Sequence, residues 1–332
     1  MIIHLPIDID MTRAENLAAE ANALCVRKHD KFVLITHSSV QTLPECLKDV
    51  AQEWWTMPTD MQLCSRAYEP TTHRIQIADT YIGGDGRNQL MIAGPCAIES
   101  REQIELSCQM LKQQGIRVLR AGCYKPRTSP YTFRGLGEDG LKILAEMREK
   151  YGLLVATEMR DATHADKVVE YADIVQVGAK SMYDHGLLTA AGQSGKPVIL
   201  KRGFGSTLQE LVNCADFILS CGNDQVILCE RGIRTFENNT RFTLDLCGVA
   251  WLKEHCNLPI ILDPSHAMGY AYGVGNLARA CTAMGIDGLL IETHPNPSVA
   301  KSDAPQQLDH HQFAAMYSSL RPIANAIGKT LI

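Results

Sequence analysis

A short cationic loop between residues 122 and 137 gives the first indication of chemistry. Lys125, Arg127 and Arg134 fall within ten residues, and Pro126 and Pro130 interrupt the same stretch. Proline fixes its own backbone φ angle, so the cations are held in place and little chain entropy is lost on binding. The whole chain has a formal net charge of −5, so this positive charge is local. Such a loop is suited to binding a phosphate or carboxylate group.

Further cations follow apolar runs that the sequence pattern predicts to be β-strands. If these strands lie parallel in one barrel, their carboxyl ends meet at one face and the cations converge there. Converging lysines and arginines indicate a small polyanionic ligand, whereas a charged polymer would require a stripe along the outside. Polar strand ends alone would explain an occasional charged residue, but not cations from four predicted strands. The cations are Arg120, Lys125, Lys180, Lys201, Arg202 and Arg231.

A second group of residues could bind a divalent metal ion. Cys96, His266 and Glu292 follow the first, seventh and eighth predicted strands, which are neighbours if the sheet closes into a barrel. Asp303, in the segment VAKSDAPQQLD, adds a second carboxylate. A single cysteine or histidine is more often structural, but a thiolate, an imidazole and carboxylates at one face suit a divalent metal. Glu158 is a further acid, at the end of the third predicted strand.

Eight short apolar runs predict the strands that position these residues. Amphipathic helix-like segments separate the runs, which is typical of a parallel sheet covered by helices. Eight such units in about 240 residues is the size of a (β/α)8 TIM barrel. An open doubly wound sheet would usually carry G-x-G-x-x-G after its first strand, and AGPCAIES does not match that pattern. The runs are QLMIAGPC, IRVLRAGCYK, LLVATEM, DIVQVGAK, KPVILKRGF, DQVILCERG, LPIILDPSH and DGLLIETHP.

The first 70 residues predict a separate small α+β domain. MIIHLPI, the hairpin-like LCVRKHDKFVLITHSS and EWWTMP are strand-like, whereas TRAENLAAEANA and LPECLKDVAQ are helix-like. This β-α-β-β-α-β order is that of a ferredoxin-like domain. We therefore expect a ferredoxin-like, regulatory domain at residues 1–70 and the catalytic barrel at residues 89–332. Residues 71–88 would form a linker whose hairpin closes the bottom of the barrel.

Composition excludes several functional classes. A net charge of −5 and a pI of about 6.1 give no indication of binding to nucleic acid or to an anionic membrane. No apolar run reaches the ~18 residues that a membrane span needs. The 12 cysteines are scattered and form no C-x-x-C motif, so the sequence does not indicate a zinc ribbon or a thioredoxin-like protein. Reduced thiols in a cytoplasmic protein are the simpler expectation.

Seven segments in chain order resemble those of 3-deoxy-D-arabino-heptulosonate 7-phosphate (DAHP) synthase, in the type I subgroup with a small ferredoxin-like domain before the barrel. The resemblance spans residues 88–328. It implies a metal-dependent transferase that condenses phosphoenolpyruvate with D-erythrose 4-phosphate to DAHP and phosphate, the first step of the shikimate pathway to the aromatic amino acids. The segments are AGPCAIES, KPRTSPYTF, ATEM, ILKRGF, ILCERGIRTFE, DPSHAMG and IETHPNPSVAKSDAPQQLD.

The resemblance also implies roles for individual residues. The implied metal ligands are Cys96, His266, Glu292 and Asp303; manganese is favoured, and iron, cobalt or zinc suit the same donors. The implied catalytic residues are Lys125, Glu158 and His266. The implied phosphoenolpyruvate-binding residues are Arg120, Lys125, Lys180, Lys201 and Arg231. The implied erythrose 4-phosphate-binding residues are Lys125, Pro126, Arg127, Thr128 and Ser129.

The same resemblance implies partners beyond the two phosphorylated substrates. The N-terminal domain would sense an aromatic amino acid as a feedback effector. The protein would form a homodimer or homotetramer, and neither nucleic acid nor a membrane is expected.

The chain departs from its relatives in a few places. Lys180 stands where relatives usually have an arginine that contacts the phosphate of phosphoenolpyruvate, so the bidentate guanidinium fork is lost. The segment after His266, AMGYAYGVGN, lacks the paired arginines often found in close relatives. Arg134 stands where relatives commonly carry glutamine. These differences permit a different acceptor sugar without requiring one.

Three other functions compete with this one. A 3-deoxy-D-manno-octulosonate 8-phosphate synthase shares the barrel and AGPC, but its acceptor loop usually reads K-A-N-R-[ST]-S rather than KPRTSP. A class I aldolase would use Lys201 as a Schiff-base nucleophile and need no metal. A non-catalytic sensor barrel would have lost the reaction, and only Lys180 favours it.

Overall fold

The computed structural model describes residues 1–28, 30–125, 129 and 131–332. Its N-terminal part consists of β1 (Ile2–Pro6), α1 (Met11–Glu20), β2 (Leu24–Arg27), β3 (Lys31–Ile35) and β4 (Glu53–Trp55). The four strands form an antiparallel sheet in the order β2-β3-β1-β4. The predicted strands and first helix of this part are therefore present.

The second helix expected in this part is not an α-helix. Within LPECLKDVAQ, the structure has only a short 3-10 turn, Glu45–Leu47. The spacing of Leu43, Leu47 and Val50 resembles that of a helix, but a single turn already buries Leu47 fully. An isolated helix of this length gains little from cooperative hydrogen bonding, so packing alone decides the local conformation.

Both faces of the N-terminal sheet are covered. Ile3 and Phe32 share a core with α1, while the alternate residues Ile2 and Val33 belong to the large apolar cluster that continues into the barrel. The segment after β4 is tied to the barrel by Asp216, whose carboxylate accepts hydrogen bonds from the backbone N–H groups at positions 62 and 64, at 2.6 and 2.7 Å. The N-terminal sheet is thus packed on the barrel rather than tethered loosely to it.

A hairpin, β5 (Arg74–Ile77) and β6 (Thr80–Gly83), leads into the barrel. In the described residues, eight parallel strands then pair in chain order, and the last pairs with the first, so the sheet is closed. This confirms the predicted (β/α)8 barrel and its eight strand runs. The strands are β7 (Asn88–Gly94), β8 (Val118–Arg120), β9 (Leu154–Met159), β10 (Ile174–Val177), β11 (Val198–Lys201), β12 (Val226–Glu230), β13 (Ile260–Leu262) and β14 (Gly288–Glu292).

The barrel interior is a packed apolar core that the hairpin completes. Alternate strand residues, such as Ile92, Ile199 and Leu290, form one buried cluster together with Ile75 and Ile82 of the hairpin. The residues between them, such as Met91 and Leu200, belong to the cluster that includes the surrounding helices. This period of two separates an inner from an outer face of the sheet. The hairpin packs against the end of the barrel where the strands begin.

Helices alternate with the strands and cover the barrel. Thr207 and Asp309 form capping boxes at the starts of the helices Leu208–Ser220 and His310–Ala326. None of the helices in the described part of the chain has the length and apolarity that crossing a bilayer requires. The remaining elements are α2 (Arg101–Gln113), α3 (Glu138–Tyr151), α4 (Ala165–Tyr171), α5 (His185–Gln193), α6 (Leu208–Ser220), α7 (Leu246–His255), α8 (Pro264–Met268), α9 (Ala271–Ala283), α10 (His310–Ala326) and β15 (Thr330–Leu331).

Candidate active site

The C-terminal end of the barrel is polar. Every second strand residue faces the barrel interior, and beyond the apolar core these inward-facing residues are polar. On several strands, a polar residue stands two positions after an apolar residue that faces the barrel interior. Arg120 follows Val118 in this way, and Lys201 follows Ile199. Since every second residue of a strand points the same way, these polar side chains all face the barrel axis. The set consists of Arg120, Glu158, Gln176, Lys201, Arg231, Asp263 and Glu292.

A cavity of about 230 Å³ opens at this end of the barrel. Most of the described residues to which the sequence gave a role line it directly. Arg120, Cys96 and Glu292 are buried, and Arg120 Nη1 donates to Glu292 Oε1 at 2.7 Å. The predicted residues that line the cavity are Lys125, Glu158, Lys180, Lys201, Arg231, His266 and Asp303.

Three of the predicted cations that line the cavity have no carboxylate partner among the described residues. Within the described chain, no acidic side chain is in ion-pair contact with Lys125, Lys180 or Arg231. Arg231 is buried with its guanidinium 4.2 Å from the centre of the Phe242 ring, and burial lowers its pKa. Burying an unpaired cation costs free energy unless an anion joins it. The cavity is therefore suited to a ligand with several negative charges.

Other cations at this end of the barrel are already paired. Lys201 Nζ donates to Asp263 Oδ2 at 2.5 Å. Arg202, which the sequence grouped with the ligand-binding cations, instead donates to Glu230 at 2.9 Å and to Asp245 at 2.8 Å. That expectation is wrong for Arg202, because its charge is compensated by two carboxylates within the protein and it holds the loop after β12. The inward alternation places Lys201 at the axis and Arg202 on the other face.

The four predicted metal-binding side chains come together at one side of the cavity. Donor atoms of Cys96, Glu292 and Asp303 lie within 4.8 Å of one another. His266 Nε2 lies 3.5 Å from Glu292 Oε1 and 3.8 Å from Asp303 Oδ2. Cys96 Sγ lies 3.3 Å from Asp303 Oδ2. Residues distant in the chain thus place three donors in one cluster, with His266 beside two of them.

This donor set fits a divalent cation. Two carboxylates and a thiol share a buried position, where their anionic forms repel one another. Burial and the neighbouring Glu292 raise the pKa of Cys96 to about 12, so the thiol keeps its proton unless a cation is present. A divalent ion would supply the missing positive charge and displace that proton. Mixed sulfur, nitrogen and oxygen donors favour a transition metal over magnesium or calcium.

Asp263 is a site residue whose role the sequence did not reveal. It is fully buried and caps α8 by accepting from His266 N at 2.9 Å. Its Oδ2 lies 2.7 Å from His266 Nδ1 and accepts the bond from Lys201. One carboxylate thus turns Nε2 of the imidazole toward the ligand set and holds the lysine at the cavity wall. The signal was available, since Asp-Pro at the start of a short apolar turn is an N-cap pattern.

Glu158 reaches the cavity because its neighbour has no side chain. A Cβ atom at Gly178 would lie 2.2 Å from Glu158 Oε1, so only glycine leaves room for the carboxylate. Gln176 Nε2 donates to Glu158 Oε2 at 3.2 Å and fixes one of its oxygens. The other oxygen is left for a ligand or a water molecule.

The sequence missed four further residues of the cavity wall. Arg234 and Arg241 both line it, and the aromatic rings of Phe204 and Phe242 stack at 5.5 Å between their centres. Each ring carries a guanidinium, since Arg234 lies 4.9 Å from the centre of the Phe204 ring. The segment RGIRTFENNTRFTLD is rich in arginine, but without the backbone nothing indicates which of them turn inward.

Part of the predicted acceptor loop lies outside the described residues. This applies to Pro126, Arg127 and Thr128, so their predicted contacts stay predictions. Ser129 is half-buried, and its hydroxyl accepts from Tyr131 N at 3.3 Å. Lys125 is buried and donates to the carbonyl oxygen of Cys96 at 2.9 Å. The described end of the loop therefore adjoins Cys96, one of the predicted metal ligands.

Comparisons with known proteins agree with this geometry. The family model of the DAHP synthetase I family matches residues 69–327. The phospho-2-dehydro-3-deoxyheptonate aldolase of Thermotoga maritima is 45% identical over 267 residues, which cover 80% of this chain and 78% of that protein. A crystal structure of the aldolase (DAHP synthase) from Thermotoga maritima superposes with a TM-score of 0.81 at 38% identity, over 100% of this chain and 99% of that one. A 2-dehydro-3-deoxyphosphooctonate aldolase of Francisella tularensis is 30% identical and covers 74% of this chain and 94% of its own.

Replacing the thiol of the ligand set tests whether it binds metal. We expect Cys96→Ala to lower the affinity for Co²⁺ by more than about tenfold and to abolish the thiolate-to-cobalt absorption band. Equilibrium dialysis with elemental analysis gives the affinity, and near-ultraviolet absorption reports the thiolate. Cys108→Ala is the matched control, because Cys108 is equally buried but lies on α2, outside the ligand set. Equal cobalt binding by the two variants would exclude Cys96 as a ligand.

Proposed function

The chain belongs to the DAHP synthetase I family, and we propose that the cavity at the C-terminal end of its barrel is the active site. The enzyme condenses phosphoenolpyruvate with D-erythrose 4-phosphate to DAHP and phosphate, the first step of the shikimate pathway. The observation that supports this location is the combination of unpaired cations in one cavity with an adjoining cluster of Cys96, Glu292 and Asp303, beside His266. A polyanionic substrate and a metal-assisted reaction require both.

We assign phosphoenolpyruvate to the wall formed by the strand-end cations. Lys125, Lys180 and Arg231 lack carboxylate partners among the described residues, so they are available for the phosphate and carboxylate groups. Lys201 is held by Asp263 and contributes a cation of fixed position. Arg120, paired with Glu292, belongs to the same set through its free Nε, which is buried without a hydrogen-bond partner. Gathering cations from separate strands brings together two anions that would otherwise repel each other.

Erythrose 4-phosphate is assigned to the loop that begins at Lys125. The proposal rests on the family resemblance of KPRTSP, with Lys125, Pro126, Arg127, Thr128 and Ser129 as the contacts. Lys125 lies between the loop and the metal-binding Cys96, so its ammonium group can approach both substrates. The aldehyde end of the sugar would then point toward the ligand set.

Cys96, His266, Glu292 and Asp303 are proposed to hold one divalent metal ion, with manganese favoured over iron, cobalt or zinc. When bound, the ion supplies Lewis-acid polarisation of the aldehyde oxygen. Asp263 keeps His266 oriented, and Arg120 keeps Glu292 oriented. These partners fix the ligand geometry before the substrates arrive.

The remaining chemistry is assigned to the chain's own side chains. C3 of phosphoenolpyruvate attacks the aldehyde carbon, and Lys125 donates a proton to the resulting alkoxide oxygen. Positive charge then develops at C2, where a water molecule adds and gives up a proton to Glu158. The tetrahedral phosphohemiketal then forms the C2 carbonyl as its C–O bond to phosphate breaks. The C2 hydroxyl proton passes to the leaving phosphate oxygen, the cation wall holds the phosphate charge, and the proton on Glu158 returns to Lys125. Gln176 fixes one oxygen of Glu158 so that the other faces the water.

The competing functions fit the site less well. The octulosonate aldolases are relatives at 30% identity, but the KPRTSP loop differs from their usual acceptor loop. A Schiff-base aldolase needs a lysine amine that is free to attack a carbonyl carbon, whereas Lys201 Nζ is held by the buried carboxylate of Asp263. A non-catalytic barrel would not be expected to keep four donors converging on one point.

Phosphate release discriminates between the two acceptor sugars. With phosphoenolpyruvate and Mn²⁺, we expect rapid release with erythrose 4-phosphate and a rate at least about a hundredfold lower with arabinose 5-phosphate, because the acceptor loop matches the four-carbon sugar. EDTA should abolish release, and added Mn²⁺ should restore it. Preference for the five-carbon sugar would point to Lys180 and the segment after His266 as determinants of acceptor choice.

Lys180 allows a test of the phosphoenolpyruvate wall by gain of affinity. Lys180→Arg restores the bidentate fork, so we expect the KM for phosphoenolpyruvate to fall about threefold while the KM for erythrose 4-phosphate stays constant. Steady-state kinetics measured for both substrates separates the two effects. Lys167→Arg is the control, because Lys167 is an exposed residue of α4 outside the cavity. A change in the erythrose 4-phosphate KM alone would place Lys180 at the other substrate.

We propose that residues 1–70 form a ferredoxin-like regulatory domain, joined by residues 71–88 to the catalytic barrel at 89–332. The strand order supports the ferredoxin-like assignment, although a 3-10 turn replaces its second helix. An aromatic amino acid is the proposed effector. The enzyme is proposed to act in the cytoplasm as a homodimer or homotetramer.

Calorimetry tests the effector proposal. Titrating tyrosine or phenylalanine into the full-length protein should give a saturable isotherm for at least one of them, together with inhibition over the same concentration range. Leucine is the control for non-specific binding of an apolar amino acid. Absence of binding by both aromatic amino acids would remove the proposed regulatory role.

A further inference from the structure

Gln306 bridges a proposed metal ligand and a cation of the cavity wall. It is buried and ends the 3-10 turn Ala304–Gln306, directly after Asp303. Its Nε2 donates to Glu292 Oε2 at 2.6 Å, and its Oε1 accepts from Arg241 Nη1 at 2.6 Å. Arg241 Nη1 also lies 3.4 Å from Asp303 Oδ1. The glutamine amide and the arginine therefore link both carboxylates of the ligand set.

The two neighbours of the amide determine which way it faces. A carboxylate only accepts hydrogen bonds, and a guanidinium only donates them. The NH₂ group must therefore face Glu292, and the oxygen must face Arg241. Reversing the amide would set an acceptor against the carboxylate and a donor against the guanidinium. Arg241 thus fixes the orientation in which Gln306 can donate to the metal ligand.

The two carboxylate oxygens of Glu292 have different partners. Oε2 receives the bond from Gln306, whereas Oε1 receives Arg120 Nη1 and lies 3.5 Å from His266 Nε2. Rotation of the carboxylate would break the bonds on both sides. Glu292 is fully buried, so water would not replace a lost bond. The position of Oε1 beside the other donors therefore depends on the group that holds Oε2.

Gln307, the next residue, fixes the backbone of the same ligand set. Its Oε1 accepts from Cys96 N at 3.0 Å, and its Nε2 donates to the carbonyl oxygen of Ser302 at 2.8 Å. It therefore joins the loop that carries Cys96 to the loop that carries Asp303. Gln306 differs in that its side chain contacts a ligand carboxylate directly.

We propose that Gln306 is a positioning residue that fixes Glu292 as a metal ligand, and that Arg241 locks Gln306 in the required orientation. This inference rests on the proposed metal site and assigns its outer support. Arg241 also lines the cavity, and only its Nη1 is engaged by Gln306 and Asp303, so its other N–H groups face no partner within this bridge.

The test compares metal binding by full-length variants. Gln306→Leu has a similar volume but makes neither hydrogen bond, so we expect the Kd for Co²⁺ to rise about 10- to 100-fold. The visible and thiolate-to-cobalt absorption bands should shift as Glu292 moves. Gln306→Glu keeps the length and the contact with Arg241 but has no donor for Glu292, so it should also bind cobalt more weakly. Competition with a chelator of known affinity gives the Kd values, which need no turnover.

Gln89→Leu is the matched control. Gln89 is a fully buried glutamine in β7 that bonds Thr282 Oγ1 at 3.4 Å, outside the ligand set. It should lose stability in the metal-free form without losing cobalt affinity. The inference is overturned if Gln306→Leu binds cobalt within about twofold of the unchanged protein, or if both leucine variants lose affinity equally. If the protein without substitutions binds cobalt but shows no thiolate-to-cobalt absorption band, the proposed ligand set itself is wrong.

Discussion

Two fully buried carboxylates, Asp263 and Glu292, determine the arrangement of the proposed active site. An isolated carboxylate is costly to bury, so each must be surrounded by donors from other elements. Asp263 contacts Lys201 and His266, while Glu292 contacts Arg120 and Gln306. Each carboxylate therefore determines where its partners lie, and those partners come from strands and loops that are distant in the chain. Breaking one such contact would leave a charge without compensation in the barrel interior, which is why the set is rigid.

The pairing divides the cations into two groups with different functions. Those bound to carboxylates, such as Lys201 and Arg202, have fixed positions and a compensated charge. Those without a carboxylate among the described residues, such as Lys180 and Arg231, retain their charge for a ligand. A net excess of positive charge at the cavity wall therefore coexists with a formal charge of −5 for the whole chain. Anion recognition depends on this local imbalance and not on the overall charge.

The sequence predicts the barrel and its polar end well, because both follow from local periodicity. Alternation fixes which strand residues point inward, so continuing it past Ile199 or Leu290 reaches Lys201 or Glu292. It does not predict which charges neutralise one another, since pairs such as Arg202 with Asp245 depend on the path of loops. For the same reason Gln306 and Arg241 were not anticipated. The prediction of a second N-terminal helix was wrong because one turn buries the apolar residue Leu47 as well as several turns would.

The position of the metal ligands relative to the barrel seam has an energetic consequence. Cys96 follows β7 and Glu292 ends β14, the two strands whose pairing closes the barrel. Asp303 has a left-handed backbone with φ of 50°, which is unfavourable for a residue with a side chain unless its surroundings hold it. Contacts with Cys96 and Arg241 provide that support. An ion held by these ligands would bond to both sides of the seam and to the supported loop. Such an ion would bind the closed barrel in preference to an open one, so its binding free energy would add to the stability of closure, and the proposed catalytic site would also join the first strand to the last.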